Sequence, residues 1–312
     1  MQPFRLIPEY RERVWGGQRL QPGPRSIGEA WIVYEQNKIA GGPNAGRTLG
    51  ALAAAEGEGL LGKRTLRSTG LRFPLLIKLL DCHDWLSIQV HPNDEQAQRL
   101  EGPEFFGKTE AWHILEAEIG AKLISGLRSG TTAEAVAQAL KTNTILNVVE
   151  HLSVRAGDTI FIRAGTLHAL GPGLLLYEVQ QTSDLTYRVF DWNRPQSAGR
   201  ELHLEKSLVV IDPAATGRAE PMPSGAEGIH TLTACPYFAL EMINVKSGPL
   251  MLDTQGESFH TLTVVEGQVQ AGGDGWHETL RRFETVVIPA ACGRYRLEPL
   301  GESRVLRSSV GA

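Results

Sequence analysis

Short runs rich in β-branched and aromatic residues, each bounded by Gly, Pro, Asn or Asp, recur along this 312-residue chain and set its fold class. They read "EAWIVYE", "LRFPLLIKLLD", "WLSIQVH", "EAWHILEAE", "DTIFIRAG" and "LLLYEVQQ". Their number and brevity predict a mainly β protein with jelly-roll or barrel cores. Helix formers are confined to connections: "TLGALAAAEGEGLLG" (48–62), "DEQAQRLE" (94–101) and "TAEAVAQALKT" (132–142), with Asn93 or Asp94 and Thr131 or Thr132 as N-caps. The stretch 213–228, rich in Pro, Gly and Ala, reads as a linker between a first domain over 1–212 and a second over 229–312. With 42% of its residues hydrophobic, the chain can bury one large core or two ordinary ones.

A faint internal repeat fits the two-core arrangement. "TEAWHILEAEIG" (109–120) overlays "GESFHTLTVVEG" (256–267), and "RAGDTIFIRAGTLH" (155–168) overlays "RRFETVVIPAACGR" (281–294), without gaps in either pairing. Two copies of one β unit would produce this pattern, although any two β-rich stretches align passably. In the overlay Glu257 falls opposite Glu110, His168 becomes Arg294, and nothing like Gln89-Val90-His91 precedes the second copy. A site, if present, belongs to the first copy.

Composition narrows the partners. A net charge of −4 without a long Lys/Arg run leaves no footprint for nucleic acid or an anionic membrane surface. No apolar run is long enough to span a bilayer, and "MQPFRLIPEYRERVWGG" lacks the apolar core of a secretion signal, so the expected compartment is the cytoplasm. Cys82, Cys235 and Cys292 are odd in number and widely spaced, which reads as reduced thiols.

In "WLSIQVHPND" (85–94) side-chain alternation puts Ser87, Gln89 and His91 on one face, against Leu86, Ile88 and Val90 on the other. Lys108 and Glu110 share a face in "KTEAW", and His168 follows the Gly-containing turn of "GTLHALG". Two imidazoles, a carboxylate and an amide oxygen make a donor set for a divalent ion of zinc type, leaving room for water or substrate. The ordinary alternatives are a structural histidine, a solvated strand carboxylate and a turn histidine bonded to backbone. His113 faces away from Glu110 by strand parity. In "LYEVQQTSDLTYRVFDW" (176–192), Arg188 could fork onto a phosphate or, more simply, pair with Asp184 or Asp191. Lys78 sits inside an apolar strand, where a lysine is costly unless it meets an anion.

Taken in order, "WGGQRL", "IGEAWIV", "FPLLIKLLDCHDWLSIQVHPND", "GKTEAWHIL", "AGTLHALGPG" and "YEVQQTSDLTYRVFDW" resemble the type I mannose-6-phosphate isomerases, zinc-dependent cupin enzymes. The resemblance runs from about residue 15 to 192 and is looser beyond, where the second cupin-like domain would be metal-free. The chain is similar to short bacterial members that lack a large helical insertion. The resemblance implies two cupin-like jelly-roll barrels and one Zn2+ per chain on Gln89, His91, Glu110 and His168. It implies Arg188, Lys108 and Glu178 as catalytic residues, and Lys78, Ser87, Lys108 and Arg188 as contacts to a sugar phosphate. The implied reaction interconverts mannose 6-phosphate and fructose 6-phosphate through a cis-enediol, in a monomer or homodimer. The proton-transferring base is open among Glu178, Lys108 and a metal-bound water. An isomerase for another sugar and a non-catalytic sugar-phosphate sensor are the competing readings. Arg163 stands where the family usually has proline, either loosening the loop of His168 or adding charge near the pocket; "RRFETVVIPA" lacks the usual turn glycine.

Overall fold

Two units, each built from a pair of sheets, divide the chain. The computed structural model describes residues 1–195, 200–223 and 225–311. Residues 196–199, Ser224 and Ala312, which the sequence assigns to the first domain, the linker and the second domain, lie outside the described residues. One unit comprises Tyr10–Ala30 and Leu79–Pro221; the other comprises Met1–Glu9, Trp31–Lys78 and Met222–Ala312. Within 213–228, Ala219–Glu220 form a short strand paired with Thr159–Ile162.

The unit containing Leu79–Pro221 carries most of a seven-stranded sheet, whose first three strands begin or end beyond the unit's bounds. From neighbour to neighbour it runs β1 (Glu9–Gly17), β2 (Ile27–Val33), β3 (Leu75–Cys82), β10 (Leu174–Gln181), β5 (Glu110–Ala117), β8 (Thr159–Ile162) and β12 (Ala219–Glu220). A five-stranded sheet runs from β11 (Tyr187–Phe190) and β4 (Ile88–Val90) through β9 (His168–Leu170) to β6 (Lys122–Leu127) and β7 (Val149–Ser153). Trp112, Ile114, Ile160, Ile162, Leu174 and Leu176 of the first sheet pack with Leu123 and Leu170 of the second. That core occupies the space between the sheets. The other face of the five-stranded sheet offers Ile88, Val90, Ala169 and Tyr187 to two helices, α5 (Ala133–Lys141) and α6 (Leu204–Val210). Alternation along β4 therefore points Ser87, Gln89 and His91 into the space between the two sheets.

The second unit repeats this wiring. Its five-stranded sheet runs β13 (Gly228–Ala234), β14 (Ala239–Val245), β21 (Ser303–Ser309), β16 (His260–Glu266) and β19 (Thr285–Ile288), an order that parallels β2-β3-β10-β5-β8. A four-stranded sheet of β15 (Leu250–Asp253), β20 (Arg294–Pro299), β17 (Gln268–Gly273) and β18 (Trp276–Arg281) parallels β4-β9-β6-β7. Ile243, Leu262, Val286 and Val305 from one sheet meet Leu252, Val269, Leu280 and Leu297 from the other. The mainly β class holds in both units. The expected barrels are two-layer sandwiches whose sheets stay open, because among the described residues no pairing joins the two layers of a unit along an edge.

Strand register corrects one part of the sequence overlay. β8 and β19 hold equivalent places in the two strand orders, as the repeat predicts, and their partners are Glu110 opposite Ile162 in one unit and His260 opposite Ile288 in the other. The counterpart of Glu110 is therefore His260, three residues beyond Glu257. Register follows the partner strand, and Glu257 instead lies in a loop, pairing with Arg67 at 3.2 Å. Arg294, opposite His168 in the overlay, is largely exposed and pairs with Asp253 at 3.4 Å, while its neighbour Tyr295, opposite Leu252, faces the core.

Helices form where the sequence predicts them. Residues 48–62 give α1 (Leu49–Glu56) and α2 (Glu58–Leu61), and α3 (Lys63–Thr69) follows. The helix α4 (Asp94–Glu101) is closed by an Asn93–Gln96 capping box, and Thr132 caps α5. The helix α6 is not among those the sequence predicts. Among the described residues no helix is long and apolar enough to cross a membrane.

His260 Nδ1 meets the Tyr295 hydroxyl at 2.8 Å, and burial followed by the nearby Arg307 charge pushes its pKa down to about 3. The folded state holds this imidazole neutral while the unfolded chain takes up a proton below about pH 6.5. Its contribution to stability is thus present above pH 6.5 and lost as pH falls toward 3. Comparing urea unfolding of the wild type with His260→Gln between pH 7 and 5 should show the wild type losing up to about 1.4 kcal/mol more per pH unit below 6.5.

A candidate metal centre between two sheets

The five-stranded sheet lays four polar residues in one row: Arg188 opposite Gln89, Gln89 opposite His168, and His168 opposite Ser125. Directly paired residues share a face, so all four belong to the row that looks between the sheets. Glu110 comes from the facing sheet, at the start of β5 and opposite Gln180. His91 follows β4 at the beginning of the turn into α4. Among the described residues, His91, Glu110 and His168 form a group whose ligand atoms all lie within 4.8 Å of one another, and all three are buried.

The tautomers suit metal binding. His91 Nδ1 donates to the Leu185 carbonyl at 2.7 Å and His168 Nδ1 to the Thr166 carbonyl at 2.8 Å. A carbonyl only accepts, so both Nε2 atoms keep their lone pairs and turn them inward. His168 Nε2 lies 3.3 Å from Glu110 Oε1, and His91 Nε2 lies 3.6 Å from Glu110 Oε2. A tetrahedral ion with bonds of about 2.0–2.2 Å sets its ligands roughly 3.3–3.6 Å apart, so these three groups fit a zinc-sized ion. Gln89 completes the ring, its amide nitrogen 3.3 Å from His168 Nε2. Exchanging the near-equivalent N and O of that amide presents a carbonyl oxygen at the same point. Burial, joined by the Lys108 charge and opposed by the Thr166 hydrogen bond, lowers the His168 pKa to about 4, leaving the ring neutral and ready to ligate at pH 7.

Lys108 stands over this group, buried, its ammonium 3.0 Å from Glu110 Oε2 and 3.2 Å from His91 Nε2. Ser87 Oγ is 3.4 Å from Gln89 Oε1. Glu178, on β10 opposite Trp112, accepts the indole N–H at 2.9 Å and is likewise buried. The Arg188 guanidinium donates to the Glu201 carbonyl at 3.0 Å, and its backbone exchanges hydrogen bonds with His203. The simple ion-pair reading of Arg188 is superseded by other partners for its acids: Asp184 lies 3.9 Å from Arg11, while Asp191 takes Arg194 and a fork from Arg200. Arg163 is half exposed and pairs with Asp212 at 2.7 Å, so it clamps the outside of the His168 turn instead of charging the pocket. Lys78 groups with the other unit, where its buried ammonium lies 5.1 Å over the Trp31 ring. His113 does face away, bonding to Thr159 Oγ1 at 3.0 Å.

Thr166, Leu185, Trp112, Ser125 and His203 are not singled out by the sequence patterns. Two of these act through backbone carbonyls, which carry no residue-type signal. Trp112 shows in the sequence only as an aromatic in a strand, and its alternation with Glu110 in "EAW" places both on one face.

Residues 4–105 match the family described as phosphomannose isomerase type I, catalytic domain. The chain is 34% identical to the mannose-6-phosphate isomerase ManA of Bacillus subtilis, over 96% of this chain and 97% of that protein. It is 30% identical to the mannose-6-phosphate isomerase of Streptococcus mutans, over 92% of each chain. The crystal structure of a B. subtilis mannose 6-phosphate isomerase superposes with a TM-score of 0.87 at 29% identity, covering 99% of both chains.

Glu110 is the one carboxylate in the ligand group, so Glu110→Ala should lower divalent-metal affinity at least about 100-fold. Metal analysis after dialysis against a buffered chelator series checks this, and unchanged affinity would displace the centre from this group.

Proposed function

Because the chain belongs to the type I phosphomannose isomerase family, we propose that it interconverts mannose 6-phosphate and fructose 6-phosphate, with one zinc ion held by Gln89, His91, Glu110 and His168. Family membership makes it an aldose–ketose isomerase. The observation that carries the metal part of the reading is the pair of imidazoles whose Nδ1 atoms are spent on carbonyls while both Nε2 atoms converge on one buried carboxylate. We read residues 1–212 as the catalytic cupin, 213–228 as its linker and 229–312 as the metal-free cupin. The free cysteines and mild negative charge suit a reducing cytoplasm.

The isomerisation removes a proton from C2 of the aldose and returns one to C1, through a cis-enediol. The C2 hydroxyl loses its proton as the C2 carbonyl forms, and the C1 oxygen gains one. Such a step needs a base at carbon and positive charge where oxygen becomes anionic. When bound, the ion supplies a Lewis acid for a substrate oxygen. Lys108, within about 3 Å of two ligand atoms, adds a fixed ammonium beside that oxygen and can hold a proton there. Glu178 is the carboxylate best suited to take the carbon-bound proton, since the Trp112 N–H at 2.9 Å engages one oxygen and orients the other. Arg188, in register with Gln89, presents a planar cation to the phosphate or the enediolate. Lys78 and Ser87 carry the substrate-binding assignment that their sequence motif gives them.

Chelator-stripped protein should fail to convert mannose 6-phosphate to fructose 6-phosphate and should regain turnover when zinc is added, as read by a coupled fructose 6-phosphate assay. Folded, zinc-loaded protein that turns over only another sugar would replace the substrate while keeping the isomerase. Arg188→Ala should lower kcat/KM about 100-fold or more with bound zinc unchanged. Full activity in that variant would remove Arg188 from the mechanism.

A further inference from the structure

Lys108 is held by its backbone as well as by its ammonium. Three successive amides donate to fixed acceptors: Gly107 N–H to Asp94 Oδ1 at 2.7 Å, Lys108 N–H to the Pro92 carbonyl at 2.9 Å, and Thr109 N–H to Gln181 Oε1 at 2.9 Å. The two side-chain acceptors are joined to each other, because Gln181 Nε2 donates to the same Asp94 Oδ1 at 3.0 Å. The Gln181 N–H returns to the Thr109 carbonyl at 3.2 Å, and Ser183 Oγ donates to the Phe106 carbonyl at 2.7 Å. There is no slack at Gly107, where a Cβ would lie 2.5 Å from the Asn93 carbonyl carbon. Gln181 is only 5% exposed, and one end of its buried amide holds the loop at Thr109 while the other holds Asp94, the first residue of α4.

A lysine side chain has four rotatable methylenes and reaches its target by a flexible stem. Its ammonium stays within hydrogen-bond reach of a metal ligand, without displacing it, only if the stem starts from a fixed point. We infer that Gln181 is a positioning residue: through the strap it forms with Asp94 it fixes the backbone on both sides of Lys108 and so places the ammonium for reaction. This inference rests on the catalytic reading of Lys108 proposed above. It assigns no contact with substrate to Gln181 or Asp94.

The test uses the zinc-loaded full chain. Gln181→Met removes both side-chain hydrogen bonds at similar volume, and Asp94→Ala cuts the strap at its less buried end, which covers the case where the first variant does not fold. Each is measured alone and combined with Lys108→Gln, at enzyme concentrations high enough to read slow turnover. With Lys108 present, either change should lower kcat/KM about tenfold or more while bound zinc stays at one equivalent. In the Lys108→Gln background the same change should cost less than about twofold, since no ammonium remains to be misplaced. Equal losses in both backgrounds would show a merely structural strap and overturn the inference. Loss of zinc in the strap variants would overturn it as well, by routing the effect through the ligands. Full turnover by Lys108→Gln itself would instead bring down the catalytic reading of Lys108, an outcome distinct from failure of the strap.

Discussion

The pairing of Gln89 with His168 across β4 and β9 is the constraint on which the site depends. Strand neighbours in register share a face, so this one pairing decides that the amide and the imidazole look into the same space. It also aligns Arg188 and Ser125 in the same row, and it puts Ile88, Val90 and Ala169 on the face covered by α5 and α6. A slip by one residue would exchange the two faces. Apolar side chains would then meet Glu110 and Lys108, and the polar row would be driven against the helices. The hydrophobic pattern and the metal site thus enforce one register, each penalising the slip that would destroy the other.

Alternation makes the ligand strand legible in the sequence alone. In "WLSIQVH" the period of two separates the candidate donors Gln89 and His91 from Ile88 and Val90, though Leu86, ahead of the strand, joins the core between the sheets, and the same rule turns His113 away from Glu110. The helices at 94–101 and 132–142 are legible through Asn93 and Thr132, whose side chains accept the first free amides. What the sequence hides are interactions made by backbone atoms or set by register across long separations. The carbonyls of Thr166 and Leu185 fix both tautomers, yet any residue type could supply them. The alignment of Glu110 with Glu257 goes astray for a related reason: local similarity favours one offset, and pairing with β19 imposes another by three residues. Arg163 reads in sequence either as loosening the His168 loop or as adding charge near the pocket, but Asp212, 49 residues further along, takes it on the outside of the turn.

The second sandwich shows what the first requires. With the same strand order it sets His260, the counterpart of Glu110, against Tyr295 of the other sheet, at 2.8 Å. Imidazole and hydroxyl there satisfy each other, so the inward space is occupied by a hydrogen-bonded pair. The Asp253–Arg294 pair lies outside that space, the arginine side chain being largely exposed. The fold tolerates either solution, which separates the demands of the sandwich from those of the chemistry.

The residues of the candidate metal group come from widely spaced parts of the chain, from His91 to Glu110 and finally His168. β9, which brings the last of them, inserts between β4 and β6, strands made well before it. A chain extending as far as α5 therefore contains two of the three residues of the group but not the strand that brings the third. The group is complete only when a late strand slots between two earlier ones, so the order of the chain places assembly of the candidate centre after that of the strands flanking it.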